Sequence, residues 1–408
     1  MKVSVSSFRK IPKPVVVLIA LYGLEGFAAN LAHPVTPSLL KNLAMPAYVF
    51  GLAFAVMQFS NFLMSPFWGN LCNYFQARKV LFVGCIGYAV GQAIFGLAQT
   101  QALILLGRIV SGAFVSATAI AAVVSLINLT TPEERKTSLP ILLTSFVVMG
   151  TFGQFVGGVL GDFGIAIPFI IQVAILVFCA FAFLLTGKEF TVKERDKDKS
   201  ILKQSNPIQS FIEVKNYLTP LFMMQFITVF LLSFASTSIS QTFGYYIVDV
   251  LHLGSSVNGM ARGVVGVISI ILNTTFTIRI AKSVRAEKNV SIAIGLTILS
   301  ILMMLFSPHI VGVFIGGAIF AMSFDTMVVS IMQDLSTTYA SHDSQSIITG
   351  AHNSMKSLGA VTGALIAGFV YDFNALYPFA LAALCYFASI ITIQILLRFK
   401  AKDTLINE

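Results

Sequence analysis

Charged residues are scarce in this chain. Asp, Glu, Lys and Arg make up 11% of its 408 residues, against about 25% in a typical soluble domain. Hydrophobic residues make up 56%, so a water-soluble fold of this composition would lack the polar surface that keeps a protein in solution. The composition therefore excludes an ordinary soluble protein and indicates a chain that is embedded in a bilayer.

Residue patterns typical of metal sites or catalytic sites are also absent from the sequence. The four cysteines are scattered through apolar stretches, and none of the five histidines has a partner at the spacing of metal ligands. No glycine-rich loop precedes a Lys-Ser or Lys-Thr pair, which argues against ATP as an energy source. These absences predict a protein that is not an enzyme and has no metal and no cofactor.

Long apolar runs, by contrast, fill most of the chain. Each is about long enough to cross a bilayer as a helix, too long for a barrel strand, and without strand alternation. We therefore predict an all-α integral membrane protein with 12 transmembrane helices. The predicted spans are 14–37, 47–68, 79–98, 101–127, 138–161, 164–187, 217–247, 256–279, 289–307, 309–333, 346–371 and 375–397.

One long polar segment, 188–216, divides these spans into six and six. Positive and negative residues alternate from Lys193 to Lys199, and Pro207 follows. Mixed charge with few apolar residues is typical of a solvated linker. We therefore predict an N-terminal six-helix bundle over 1–187, a cytoplasmic linker over 188–216 and a C-terminal six-helix bundle over 217–408.

The two halves share a short repeat. Four residues recur 210 positions later: Gly153, Gly158, Asp162 and Phe163 return as Gly363, Gly368, Asp372 and Phe373. A half-chain repeat in a hydrophobic protein is typical of a transporter built from two bundles that rock against each other.

Basic residues predict the orientation. With the N-terminus in the cytoplasm, 22 of the 26 Lys and Arg residues fall in cytoplasmic connections or termini, and only Lys41 falls outside. Such an asymmetry follows the positive-inside rule. It places both termini in the cytoplasm and explains the net charge of +9 without a nucleic-acid partner.

Three short sequence motifs occur at characteristic positions relative to the predicted spans. The connection after the second span holds Gly69, Asn73 and Arg78, the fourth span holds Arg108, and the fifth holds Gly153, Gly157 and Gly158. In this order they resemble the motifs of the major facilitator superfamily, and more narrowly its 12-span drug:proton antiporter branch. The resemblance covers essentially the whole chain, although Asn73, Gln76 and Gln154 replace the family's usual aspartate, glycine and proline. It implies the major facilitator fold of two pseudo-symmetric bundles. Gating roles are expected for the motif residues other than Arg108, and for Gly363 and Gly368 of the repeat.

Ionisable residues inside membrane spans usually face the bundle interior or a wet cavity, and five such residues matter here. They are Glu25, Arg108, Arg262, Asp325 and Lys356. At about 1.5 Å rise per residue, Glu25 and Arg108 differ in depth by roughly 7 Å, which a snorkelling arginine can bridge. Asp325 and Lys356 lie level, both roughly 22–24 Å below the outer surface.

These depths predict two pairs, Glu25 with Arg108 and Asp325 with Lys356. A carboxylate that faces a cation in a low dielectric can act as a proton switch, because gaining or losing the proton changes the pairing. A static buried pair that fixes the helix register is the alternative. We expect a coupling role for Glu25 and leave both interpretations open for Asp325 and Lys356.

The predicted substrate cavity is apolar and aromatic, with dispersed polar groups. Few fixed polar anchors suit hydrophobic or amphiphilic substrates better than sugars, which need many paired hydrogen bonds. The candidate lining residues are Tyr22, Asn30, His33, Gln58, Asn61, Gln241, Tyr245, Asn273 and Asn353.

Together these patterns predict a monomeric, multi-pass transporter of the plasma membrane. We expect proton-coupled efflux of small hydrophobic or amphiphilic compounds by alternating access, with the proton gradient as the energy source. A carrier or flippase for a lipid or an endogenous metabolite is the alternative. A membrane-embedded enzyme or sensor on a transporter scaffold is a third interpretation.

Overall fold

The computed structural model describes residues 11–185, 219–277, 286–339 and 345–407. Over these ranges every regular element is a helix: thirteen α-helices and one π-helical turn. The predicted linker, 188–216, lies outside the described residues. In chain order the helices are α1 (Lys13–Leu31), α2 (Thr36–Asn42), α3 (Tyr48–Tyr74), α4 (Ala77–Gly96), α5 (Gln101–Leu129), α6 (Pro132–Phe163), α7 (Ala166–Leu184), α8 (Pro220–Asp249), α9 (Ser255–Leu272) with the π turn (Asn273–Thr277), α10 (Ala286–Phe306), α11 (Val311–Tyr339), α12 (Gln345–Tyr371) and α13 (Tyr377–Asn407).

Twelve segments in the described ranges are long and apolar enough to cross a membrane, with α1 and α2 together forming the first, Lys13–Asn42. This confirms the predicted all-α membrane architecture. Helix α6 begins at Pro132, earlier than the predicted 138, because polar residues cap its first turn. The Thr131 hydroxyl accepts from the Glu134 N–H at 3.4 Å, while the Glu134 carboxylate accepts from the Thr131 N–H at 2.9 Å, the two bonds of a capping box.

The chain forms two compact units. The first comprises the described parts of 1–39, 59–207 and 254–260, and the second those of 40–58, 208–253 and 261–408. Helix α3 thus contributes its residues up to Gln58 to the second unit and those from Phe59 to the first. The bundles predicted over 1–187 and 217–408 follow chain order and stay a prediction.

In the first unit, glycines allow α6 to lie directly against α1. A Cβ atom at Gly153 would overlap the carbonyl oxygen of Phe27, and one at Gly157 would overlap that of Leu31. Close approach of two backbones in a bilayer requires small residues at the contact. The Gly-rich motif of α6 therefore has a packing role that fixes α1, the helix that carries Glu25.

In the second unit, glycines of α12 allow a similarly close contact between two helices. A Cβ atom at Gly359 would overlap the carbonyl oxygen of Phe230, and one at Gly363 that of Phe234, both on α8. The two helices are thereby held close together along the glycine-bearing face of α12. Helices α8 and α12, with α3 and α11, frame the cavity described next.

Candidate substrate and proton sites

A cavity of about 400 Å³ lies inside the second unit. Its volume falls within the range of about 300–1,000 Å³ typical of small-molecule sites. Its lining comes from α3, α8, α11 and α12 and is mixed in character. The polar lining residues are Gln58, Ser233, Ser236, Thr237, His352, Asn353, Lys356 and Ser357, and the apolar ones are Phe54, Val229, Leu232, Val329, Met332 and Ala360.

Lys356 brings the only formal positive charge to this lining. Its side chain is exposed, and its ammonium group makes no hydrogen bond or ion pair with any residue that the structure describes. Its backbone carbonyl accepts a 2.6 Å hydrogen bond from the Ser233 hydroxyl, which holds this turn of α12 against α8. The backbone is fixed while the charged group remains available to the cavity.

Asp325 lies behind the cavity wall rather than in it. The residue is buried, with 7% exposure. Each of its carboxylate oxygens accepts one hydrogen bond, from Ser236 at 2.6 Å and from Tyr386 at 2.7 Å. Because Ser236 also lines the cavity, one hydroxyl group connects the acid with the cavity.

The predicted ion pair between Asp325 and Lys356 is not a direct contact in the described structure. Lys356 acts on the Asp325 carboxylate electrostatically, but the carboxylate oxygens bond to hydroxyl groups instead. Equal predicted depth on two helices was therefore insufficient to predict a pair, because hydroxyls from α8 and α13 bind the carboxylate.

His352 belongs to the same wall. It is 2% exposed, and its Nδ1 lies 2.7 Å from the Ser336 hydroxyl. That hydroxyl oxygen also accepts a 2.8 Å hydrogen bond from the side-chain amide of Gln225. Helical spacing places His352 on the face of Lys356, since it lies four residues before it, although it was not among the predicted cavity residues. No sequence signal pointed to Ser236, which reaches the cavity from another helix.

Glu25 occupies a separate site in the first unit. It is fully buried, and one carboxylate oxygen lies 3.0 Å from the Thr118 hydroxyl of α5. The other oxygen has no hydrogen-bond partner in the described structure. Burying a charged carboxylate costs free energy, and the cost is larger when only one of its two oxygens accepts a hydrogen bond. The geometry thus allows a bound proton to remove that cost.

Arg108 does not pair with Glu25 in the described structure, which corrects the prediction. Its guanidinium carbon lies 3.8 Å from the centre of the Phe95 ring, and one terminal nitrogen donates to the Thr36 hydroxyl at 3.3 Å. Thr36 begins α2, near the C-terminal end of the first predicted span. The arginine side chain therefore extends towards that end of the span and away from Glu25, in the manner of a snorkelling side chain.

Arg78, in the connection between α3 and α4, has partners that the family pattern did not suggest. Its guanidinium donates twice to the Gln76 side-chain carbonyl, both at 3.1 Å, and once to the Leu184 carbonyl at 3.4 Å. A cation at the last carbonyls of α7 also complements the helix dipole. Gln76, which replaces the family's usual glycine, thus supplies an acceptor. Asn73 is exposed, and nothing lies within 4 Å of a Cβ built at Gly69.

Gln58 and Asn353 are the predicted cavity residues that join Lys356 in the lining, whereas the others lie elsewhere. Tyr22 stacks on Phe146, Tyr245 stacks on Phe50, Asn30 accepts from Gln154 at 3.0 Å, and Asn273 accepts from Thr277 at 3.0 Å within the π turn. The described lining also omits the half-buried His33, Asn61 and Gln241.

Arg262, the remaining one of the five candidate ionisable residues inside predicted spans, lies in the second unit. Its guanidinium donates to the hydroxyl and to the backbone carbonyl of Ser240. No cluster of metal-ligating side chains occurs among the described residues.

Twelve membrane-crossing segments, buried ionisable groups and an internal cavity define a multi-pass membrane transporter. The family model of the Major Facilitator Superfamily matches residues 18–364, and the chain belongs to this superfamily. This confirms the resemblance drawn from the motifs and identifies a transporter rather than an enzyme.

The chain is similar to proteins named for drug resistance. Multidrug resistance protein 2 of Bacillus subtilis (strain 168) is 22% identical over 369 residues, which cover 90% of this chain and 91% of that protein. Quinolone resistance protein NorA of Staphylococcus aureus (strain COL) is 20% identical over 377 residues, covering 91% and 94%. The crystal structure of the nucleoside transporter NupG matches the fold with a TM-score of 0.75 at 14% identity, covering 95% of this chain and 99% of that one.

Proposed function

We propose that this transporter exports small hydrophobic or amphiphilic compounds in exchange for protons, by alternating access. The relatives named for multidrug and quinolone resistance support an efflux role. The cavity supports the substrate class, since apolar side chains line it together with a few polar groups. The energy source is the proton gradient, and no cofactor takes part.

The observation that carries the proton-coupling proposal is the setting of Glu25. An acid inside a membrane protein is a functional candidate by default, and this one is fully buried with a free acceptor oxygen among the described contacts. A group that must gain a proton on one side of the membrane and lose it on the other needs an environment that tolerates both states.

Thr118 provides such an environment. Its single hydroxyl hydrogen has two acceptors within reach, the Glu25 oxygen at 3.0 Å and the Val115 carbonyl at 2.9 Å. When Glu25 is charged, the hydroxyl donates to the carboxylate. When Glu25 is protonated, the acid donates to the hydroxyl oxygen, and the hydroxyl turns to the carbonyl. One rotation thus serves both protonation states.

Asp325 is the second acid of the mechanism. Its bond to Ser236 places it one hydroxyl away from the cavity, so its charge is felt by a bound substrate. Arg108 lies in the first unit on Phe95 and Thr36, so in this arrangement Thr118 and not Arg108 is the partner of Glu25. We assign proton binding to Glu25 first because its hydrogen-bond shell is the less complete of the two.

The test uses proteoliposomes with an imposed pH gradient and a panel of neutral, anionic and cationic aromatic amphiphiles. Glu25→Gln should abolish uphill transport of whichever compound the wild type accumulates, while binding and exchange without a gradient persist. Glu25→Asp should retain partial coupling. Asp372→Asn, at an exposed acid, is the matched control and should transport normally. Uphill transport by Glu25→Gln at the wild-type rate would exclude Glu25 as the coupling acid.

The orientation belongs to the same proposal. We place both termini in the cytoplasm because 22 basic residues are assigned to that side, and we propose a monomer in the plasma membrane. A single cysteine at position 200 should react with an impermeant maleimide only after the cells are opened. Reaction in intact cells would reverse the orientation.

A further inference from the structure

We infer that the cavity of the second unit is an anion site: it binds a small amphiphile through a carboxylate, sulfonate or phosphate group placed against Lys356. This inference names the substrate class of the proposed transporter and therefore rests on the proposed function. It is narrower than the proposed preference for hydrophobic or amphiphilic compounds, because it requires an anionic group on the substrate.

The first argument is charge. An ammonium group inside a membrane protein is costly unless an anion or water compensates it. The Lys356 ammonium has no hydrogen-bond or ion-pair partner among the described residues, and the carboxylate of Asp325 is bonded to Ser236 and Tyr386 rather than to it. The position for an anion in direct contact with the ammonium is thus open to a ligand.

The second argument is the set of hydrogen-bond donors. Gln58 and Asn353 line the same cavity, and their side-chain amides make no hydrogen bond with another described residue. The hydroxyls of Ser233 and Ser236 already donate to the Lys356 carbonyl and to Asp325. The hydroxyls of Thr237 and Ser357, which also line the cavity, are uncommitted among the described contacts as well. The uncommitted groups are therefore one ammonium, two amides and two hydroxyls; the amides and hydroxyls can donate or accept, and the ammonium, which only donates, makes the set suit an oxyanion better than a cation.

The third argument is shape and polarity. Apolar side chains such as Phe54, Leu232 and Met332 supply the rest of the wall, and the volume is about 400 Å³. The site thus suits one anionic group on a compact hydrophobic body. A lysine ammonium is a point charge without the paired, planar N–H donors of an arginine. It can therefore bind a carboxylate, a sulfonate or a phosphate. A free organic anion and a lipid headgroup share this chemistry.

The test is equilibrium binding to the purified full-length protein in nanodiscs of phosphatidylcholine. Three matched probes are used: naphthaleneacetate, its neutral amide naphthaleneacetamide, and the cation naphthylethylammonium. The wild type should bind the anion about tenfold or more tighter than the amide, as a hydrogen bond to a charged group allows, and the cation weakest. Lys356→Met should remove this preference, and Lys356→Arg should keep most of it.

Lys136→Met, at an exposed lysine of the first unit, is the control and should retain the preference. Equal affinity of the wild type for naphthaleneacetate and naphthaleneacetamide would overturn the inference. An unchanged preference for the anion in a folded Lys356→Met protein would overturn it as well. Repeating the titration with phosphatidylglycerol in the nanodisc separates the two sources. Competition by that lipid identifies a headgroup as the occupant, and its absence identifies a free organic anion.

This experiment measures binding without a gradient, so it is independent of proton coupling. A protein that binds anions selectively but fails the Glu25→Gln test keeps the anion site and loses the antiport proposal. The reverse outcome, coupled transport of neutral or cationic probes with no anion preference, keeps the antiport proposal and removes the anion site.

Discussion

Gly158 of α6 meets Gly259 of α9 backbone to backbone: a Cβ atom at Gly158 would lie 2.7 Å from the Cα of Gly259. The repeated glycine, Gly368 of α12, has the same kind of partner in the second unit. A Cβ atom there would lie 3.2 Å from the Cα of Gly51 on α3. The 210-residue repeat thus marks two equivalent helix contacts, one within each unit.

The first prediction concerns these contacts. Gly158→Ala and Gly368→Ala should each destabilise the protein by about 1–3 kcal/mol, because the added methyl group has no space. Gly316→Ala is the matched control, since nothing lies within 4 Å of its Cβ position. Replacing an open helical glycine by alanine should be neutral or stabilising by up to about 1 kcal/mol. Thermal unfolding in detergent measures the difference, and equal effects at all three sites would contradict the packing argument.

The second prediction concerns how Asp325 is held. Tyr386→Phe removes one of its two hydroxyl donors and should cost about 1.5–3 kcal/mol, the usual value of a hydrogen bond to a charged group. Lys356→Met should cost less than about 1 kcal/mol, because no direct ion pair is lost. Tyr377→Phe, at a half-exposed ring, is the control. If Lys356→Met were as destabilising as Tyr386→Phe, a direct Asp325–Lys356 pair would exist in the bilayer.

The third prediction concerns Thr118. Thr118→Val removes the hydrogen-bond partner of Glu25 while keeping the shape of the side chain. Gradient-driven transport should slow by roughly tenfold, as the loss of a hydrogen bond to a charged group implies, and substrate binding should be unchanged. Thr118→Ser restores the hydroxyl and should restore transport. A Thr118→Val protein with wild-type transport would show that the hydroxyl takes no part in the proton step.

The fourth prediction concerns the connection between α3 and α4. Gln76→Gly introduces the residue that the family usually has, but it removes the acceptor of two hydrogen bonds from Arg78. We expect a loss of about 1 kcal/mol of stability. Gln76→Glu keeps an acceptor and adds a charge opposite the guanidinium, so it should be at least as stable as the wild type. Thermal unfolding of the two variants side by side decides the matter; a stable Gln76→Gly protein would make the contact incidental.

The membrane spans were readable from the sequence because long apolar helices are specified by local composition alone. The depth of a residue can be counted along its helix in the same way, and the equal depth of Asp325 and Lys356 stays a prediction. The partners of these residues were not readable. Arg108 was expected beside Glu25, yet it lies on Phe95 and reaches Thr36, because depth says nothing about which way a long side chain turns.

The cavity shows the same division. Asn353 and Lys356 share one helical face, and a spacing of three residues predicts this directly. Gln58, which was also predicted as a polar residue within an apolar span, joins them from α3. Ser236 joins from α8 through contacts between distant parts of the chain, which a local pattern does not encode, so only part of the lining was predicted. The close fit of α8 and α12 at Gly359 and Gly363 is what assembles the remainder.

The lone charge of Lys356 also has an electrical consequence. An empty cavity carries one positive charge more than a cavity loaded with a monoanion, whatever the charge of Asp325 behind the wall. A membrane potential therefore acts differently on the empty and the loaded carrier, by up to about 2.3 kcal/mol per 100 mV for a charge that crosses the whole field. Relative to the loaded carrier, a potential that is negative inside draws the empty cavity towards the cytoplasm, where an exporter collects its cargo. Voltage-dependent uptake that disappears in Lys356→Met vesicles would be the sign of this bias, which makes the resting potential itself a part of the transport cycle.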